Sequence, residues 1–369
     1  MLRRLDLRGP LGDLGAVLPR PSTADDGPLD AVRAIIADVR ERGDTALREL
    51  TARYDGVDLE SVVVDPEDVA SAPSRIDPVV LEALEVAATA IRRHHEGQRR
   101  AEHRTEEDGL CVRSISRPVQ RAGCYAPGGR AAYPSTVLMT AVPARVAGVD
   151  VVVLCVPPGP DGRVADVTLA AAAVAGVDAV YAVGGAQAVA AMAYGTASIP
   201  AVDVIAGPGN VYVALAKREV AGHVGVPSAF AGPSEVVVVA DSTVPTAFAA
   251  IDIVVQAEHG PGGLAWLITW DEEVSDAIEA EVDRIVAAAP RRDDITATLD
   301  DAGWSVLVDG PDEALAVADA IAPEHLQLMV ADAGDLSERV RNAGAVFCGP
   351  WTPASLGDYV AGPSHVLPT

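Results

Sequence analysis

The chain has 369 residues, of which 49% are hydrophobic, 22% charged and only 4% aromatic. That is ample for a large buried core and suggests two domains rather than one. A net charge of −25 argues against nucleic acid and anionic membranes as partners, because both reward Lys and Arg.

The N-terminus, "MLRRLDLRGPLGDL", has early arginines but no apolar run behind them, so it does not read as a signal peptide. Four cysteines, Cys111, Cys124, Cys155 and Cys348, show no CxxC spacing and read as free thiols of a cytoplasmic protein. Two amphipathic helices follow in "LDAVRAIIADVRERGDTALRELTARYDG" and "DPVVLEALEVAATAIRRHHEGQRR", with Gly43 breaking the first. A β-rich patch, "LCVRSISRPVQRAGCYAPGG", precedes a regular alternation of strand ("VDVVVLCVPP", "DAVYAV", "VDVIAGPG") and helix ("DVTLAAAAVAG", "AQAVAAMAYG", "NVYVALAKREVAG"). The apolar run 169–195 contains Asp178, Gln187 and the break Gly184–Gly185, so it reads as helix, strand and helix rather than a membrane span. After "SEVVVVAD" the alternation resumes, with strands at "LAWLITW", "WSVLVDG", "HLQLMVA" and "AVFCG" and helices between them, including one over "DLSERVRNAG". Short connections between strand and helix imply parallel sheets covered on both faces. The predicted fold class is α/β: two Rossmann-like open-sheet domains of mainly parallel strands with a helical N-terminal segment. The predicted boundaries are an N-terminal arm over 1–22, a first α/β domain from 23–112 plus 236–369, and a second over 113–235.

Three glycine-containing segments lie where strands give way to helices: "YAPGGRAAYPS", "AVGGAQAVA" and "VIAGPGNVYVA". Each could bring backbone N–H groups to a phosphate, or could simply end a strand. No GxGxxG follows a strand; "GPGGLA" at 260–265 follows a helix and leads into a strand, the wrong context for a dinucleotide fingerprint.

Acid–base and metal candidates cluster in three places. Gln256 and His259 in "VVQAEHG" are three apart at a helix end; they suit either a metal or a hydrogen-bonding surface role. Glu324 and His325 in "IAPEHLQL" precede a strand, where they could divide proton work or sit in a solvated loop. Asp358 and His365 lie in the Gly-rich "SLGDYVAGPSHVLPT" and could bind a metal or a polar substrate. His94, His95, His103 and His223 have no partner pattern and read as structural.

Taken together, "GCYAPGGRAAYPSTVLMTAVPARVAGV", "VGGAQAVAAMAYGT", "VDVIAGPGNVYVALAK", "AGPSEVVVVAD", "QAEHG", "APEHLQL" and "NAGAVFCGPWTPASLGDYVAGPSHVLPT" resemble the histidinol dehydrogenases, in order over residues 121–369. "RLDLRG" and "DVRERGDTAL" extend the resemblance to nearly the whole chain. It implies a cytoplasmic enzyme that oxidises L-histidinol through a bound L-histidinaldehyde to L-histidine, reducing two NAD, as the last step of histidine biosynthesis. It further implies one Zn²⁺ per site held by Gln256, His259 and Asp358, which also touch substrate. His325 would be the general base and a substrate contact, and Glu324 the base that activates water. Ser234 and His365 would contact substrate; Tyr125, Gln187 and Asn210 would contact NAD. Cys124, beside Tyr125, could suggest a thiohemiacetal, but a water-activating Glu removes the need for one. Gly260 stands where the family usually has an acidic residue, which bears on the support of His259.

The family's chain runs on past "HVLPT" into a dimerisation tail that completes the neighbouring subunit's site. The expectation is therefore a fold without that tail and a weakened homodimer. Two alternatives stay open: a paralogue that oxidises another small polyol or amino alcohol, and a truncated, inactive NAD- or zinc-binding remnant.

Overall fold

The computed structural model describes residues 1–19, 27–128, 131–227, 234–258, 263–357 and 359–364. Its strands in chain order are β1 (Arg3–Asp6), β2 (His103–Glu107), β3 (Leu110–Ser114), β4 (Arg121–Tyr125), β5 (Val151–Val156), β6 (Ala179–Ala182), β7 (Val204–Ala206), β8 (Glu235–Ala240), β9 (Leu264–Thr269), β10 (Gly303–Leu307), β11 (His325–Met329) and β12 (Ala345–Cys348). The chain forms two compact units. One comprises residues 1–19 with the described part of 234–356; the other comprises the described part of 27–227 with 359–364.

The first unit holds a six-stranded, wholly parallel sheet in the order β1-β10-β9-β8-β11-β12. Its central strands read "EVVVVA" and "LAWLIT" and are apolar without alternation, because helices cover both faces. From β8 the order runs outward one way through β9 and β10 and the other way through β11 and β12, which is the doubly wound arrangement of Rossmann-like sheets. The edge strand β1 comes from the segment predicted as an arm. It is short and charged, with Arg4 paired to Asp276 and Glu279 and Arg3 stacked over Trp304. Charge on an edge strand blocks further pairing.

The second unit holds a four-stranded parallel sheet, β6-β5-β4-β7, and the antiparallel hairpin β2–β3. The assignment of residues 23–112 to the same domain as 236–369 is corrected here, because their apolar faces complete the second unit instead. The helix Leu29–Arg42 buries Val32, Ile35, Ile36 and Val39 in one core with Val189, Met192 and Val213. The helix Pro78–Gly97 buries Leu84, Ala87, Ala88 and Ile91 in another with Leu138, Val142 and Leu154. Val64 N–H donates to the Val180 carbonyl and Ala182 N–H to that of Val62, so this segment also lines the β6 edge. Two local expectations change as well. "DLSERVRNAG" forms only a short helix, Ala333–Ser337, and a helix at Arg292–Ala302 has no counterpart in the sequence reading. Among the described residues, no helix is long and apolar enough to cross a membrane.

In the second unit the strand order reverses between β4 and β7. There Gly207 has φ +120°, and a Cβ on it would overlap the carbonyl of Tyr125. Both conditions require glycine. Gly207→Ala is expected to cost at least about 2 kcal/mol of unfolding free energy in urea titrations; an unchanged midpoint would show that the turn relaxes freely.

Candidate functional site

Glu324 and His325 sit at the N-terminal edge of the six-stranded sheet. The helix Pro311–Ile321 ends in Ala322, a non-glycine residue in the left-handed region (φ 56°, ψ 56°), and this turn feeds Pro323 into β11. The main chain is then pinned: Gly344 N–H donates to the Pro323 carbonyl and Ala345 N–H to that of Glu324, both at 2.9 Å. On the other side, the backbone of Glu235 grips both side chains. Its N–H donates to Glu324 Oε2 at 3.3 Å, and its carbonyl lies 3.0 Å from His325 Nδ1.

A carbonyl oxygen can only accept, so Nδ1 carries the ring proton and Nε2 carries the lone pair. The Glu324 carboxylate lies 3.5 Å from Nδ1, close enough to favour an imidazolium once Nε2 takes a proton. The ring is 8% exposed and stacks on Phe347 with centroids 6.1 Å apart. Burial pushes the side chain of Glu235 up to about 7. Ser234 immediately precedes β8, and its carbonyl accepts from Leu264 N–H at 3.0 Å. The sequence reading did not single out Glu235; no local pattern marks a residue that acts through its backbone.

Gln256 reaches the same edge from the C-terminal turn of the helix Thr246–Ala257, which returns antiparallel to β8. It is buried, and its Nε2 has no hydrogen-bond partner among the described residues. One turn earlier, Asp252 is also buried with an unpartnered Oδ2, and burial raises its carboxyl to about 6. The spacing of four was legible as one helix face; the missing partners were not. Both helices that end here point their C-termini at the edge, where the partial negative charge favours a cation or an imidazolium. Gln327, two residues along β11, donates to the Thr352 carbonyl at 2.7 Å and so ties down the loop that precedes residue 358. His259, Gly260, Asp358 and His365 lie outside the described residues. Among the described residues, no group of three or more His, Cys, Asp or Glu could hold a metal ion.

The dinucleotide candidates sit in the second unit at the opposite kind of edge, the C-terminal ends of strands. Tyr125 closes β4, and its hydroxyl accepts from Gly185 N–H at 3.0 Å, at the start of the helix Gly185–Tyr194. Burial pushes that phenol up to about 12. Gln187 is buried in the first turn of the same helix, its amide beside Gly185. Asn210 is exposed and caps the helix Val211–Val220, its Oδ1 accepting from Tyr212 N–H at 3.1 Å and Val213 N–H at 3.2 Å. The structure thus brings Tyr125, Gln187 and the Gly207–Gly209 turn to one edge, with Asn210's oxygen committed to the cap. Gly184 is explained by packing: a Cβ there would stand 2.7 Å from Pro157. Cys124 faces the core, and burial pushes its thiol up to about 11, leaving little thiolate near neutrality.

Comparison with known proteins bears on both edges. The family model described as histidinol dehydrogenase matches residues 18–369. The histidinol dehydrogenase of Parasynechococcus marenigrum (strain WH8102) is 48% identical, over 92% of this chain and 77% of its own length. That of Streptomyces avermitilis is 47% identical, over 100% of this chain and 86% of its own. The crystal structure of histidinol dehydrogenase from Elizabethkingia anophelis superposes with a TM-score of 0.94 at 32% identity, covering 100% of this chain and 85% of that one. A motif series that spans the chain, a matching fold and near-half identity to such relatives lead to one conclusion: the chain belongs to the histidinol dehydrogenase family, the NAD-dependent oxidoreductases that catalyse the final step of histidine biosynthesis.

Proposed function

We propose that this chain oxidises L-histidinol to L-histidine through a bound aldehyde, with His325 and Glu324 dividing the proton work. The observation that carries this reading is the hydrogen bond from His325 Nδ1 to the Glu235 carbonyl, which turns Nε2 into the basic nitrogen. In the first half-reaction Nε2 takes the hydroxyl proton as hydride leaves the adjacent carbon. In the second, the Glu324 carboxylate takes a proton from water as its oxygen adds to the aldehyde carbon, and a second hydride leaves the hydrate. Two NAD, when bound, would supply the hydride acceptors, and the water oxygen would end in the carboxylate. Ser234 and His365 would orient the polar substrate.

Zinc fits the chemistry of the N-terminal edge. Among the described residues Asp252 keeps a buried carboxylate oxygen without a partner, which is costly unless a further group completes the site, while Gln256 could offer a cation only its amide oxygen, its Nε2 being a donor. Gln256, His259 and Asp358 would hold the ion, which when bound supplies a fixed positive charge that orients substrate. NAD fits the second unit, where helix N-termini meet the turns at Gly185 and Gly207–Gly209 and favour anions. Tyr125, Gln187 and Asn210 would line that site.

The direct test is NADH formation by the purified chain with Zn²⁺ and L-histidinol, alongside a panel of small polyols and amino alcohols. Two NADH per histidinol, lost on chelation and restored by zinc, is the expected result; equal turnover of the other alcohols would replace the substrate assignment.

Two further expectations follow from the geometry. Glu324→Gln should leave alcohol oxidation within about threefold and slow oxidation of added L-histidinaldehyde by roughly 10²-fold or more; equal losses in both half-reactions would refute the division of labour. Glu235 has a raised carboxyl pKa in the folded chain, about 7 against an ordinary 4.5. Its contribution to stability is therefore complete below about pH 4.5 and is lost as pH rises through about 7. Glu235→Gln should remove that part of the slope, so the difference in urea midpoint between variant and parent grows from pH 4.5 to 7. A constant difference would mean that Glu235 titrates normally.

A further inference from the structure

Lys217 is the only lysine in the chain, and it is 2% exposed. It lies in the seventh position of the helix Val211–Val220, and its side chain runs back toward the helix N-terminus, as helical side chains do. Nζ donates to the Gly207 carbonyl at 2.8 Å. No carboxylate pairs with it among the described residues. An ammonium has three N–H donors, and one carbonyl is a poor substitute for the water it has lost. A buried cation without a counter-ion is costly, and breaking a buried pair by removing one partner costs several kcal/mol for the same reason. Among the described residues this group is therefore under-compensated.

Its position suggests what compensates it. Gly207 opens the turn at which the sheet's order reverses between β4 and β7, beside Tyr125 and one residue pair ahead of Asn210. Crevices at such reversals are where open α/β sheets bind ligands. A carbonyl oxygen turned into the crevice would repel a phosphate; tied to Lys217, it is held out of the way. The ammonium then adds a full charge behind the turn to the partial positive charge of the helix N-terminus in front of it.

We infer that Lys217 is the electrostatic anchor of the dinucleotide site, the buried counter-charge to the pyrophosphate, acting through the Gly207–Gly209 turn. The inference rests on the reading of this edge as the NAD site. It distinguishes the anionic centre of the ligand from its neutral ends: Lys217 should matter for pyrophosphate and not for the nucleoside.

Calorimetric titration with ADP-ribose and with adenosine tests this. In Lys217→Met, which keeps the aliphatic stem and loses the charge, ADP-ribose should bind about tenfold or more weaker while adenosine changes less than about twofold. Steady-state assays should show a raised KM for NAD with kcat retained at saturation. Equal weakening of both ligands, or of neither, would overturn the inference and reduce Lys217 to core support. Should the unsubstituted chain bind no ADP-ribose, the NAD assignment of this edge itself would fall, and the inference with it. A second measurement needs no variant, because a single lysine gives a single resonance in protein labelled with ¹³Cε-lysine. That signal should move on addition of ADP-ribose and stay in place with adenosine; a signal that ignores ADP-ribose at saturation would overturn the inference even if Lys217→Met failed to fold.

Discussion

A parallel sheet whose strands are joined by returning helices has two unlike edges. Strands end and helices begin at one edge, so free N–H groups and partial positive charge gather there; at the other, helices end and strands begin, with the opposite polarity. The candidate residues of this chain lie at one edge of each unit, and not the same one. Tyr125, Gly185 and Gly207 stand where β4, β6 and β7 give way to helices, an edge that suits an anionic dinucleotide. Glu324, His325, Ser234 and Gln256 stand where β11 and β8 begin and helices finish, an edge that suits a metal cation or a protonated imidazole. The assignment of chemistry to edges follows from the direction of the main chain before any side chain is considered.

The same constraint orients the His325 ring. Because β8 and β11 are parallel neighbours and both start at this edge, the first residue of β8 can serve the first residue of β11 through its backbone. Glu235 gives its carbonyl to His325 Nδ1 and its N–H to Glu324. A backbone carbonyl holds a histidine tautomer without itself titrating, which a carboxylate in its place would not do. The left-handed Ala322 and the pinned Pro323 then limit how far the pair can drift. Conformations of that kind cost about 1–3 kcal/mol and persist where surrounding contacts over-determine them.

Much of this was legible in the sequence, and the reason is burial. Strands covered on both faces are apolar throughout, so β5, β8 and β9 announce themselves as runs of Val, Leu and Ile between helical stretches. β1 does not, because an edge strand carrying two arginines has no apolar run to detect. The packing of residues 27–112 was misjudged because an amphipathic helix reveals that it has an apolar face, not which core receives it. Residue type and family resemblance are what mark the pair at 324–325 as a candidate in the sequence. Its placement at the N-terminal edge runs against the usual rule for ligands in such sheets and needed the strand order. Lys217 carries no such mark in the sequence, since a lone lysine makes no local pattern.

Buried polar groups in this chain are satisfied to different degrees. Several are paired within the fold: Ser275 and Ser305 share a hydrogen bond at 2.8 Å, and Thr140 and Thr298 bond to carbonyls of their own helices. At the edges the ionisable ones are left incomplete, Asp252 with an unpartnered oxygen and Lys217 with a single carbonyl. Among the described residues Trp266 Nε1, Thr51 Oγ1, His95 Nε2 and Asp55 Oδ2 are also without a partner, and a neutral orphan costs only about 1–3 kcal/mol. A charge in the same position costs more, and selection for stability alone would replace it with a well-packed apolar residue. The burial of one cation beneath the Gly207 turn is therefore better explained by what the turn binds than by what it supports.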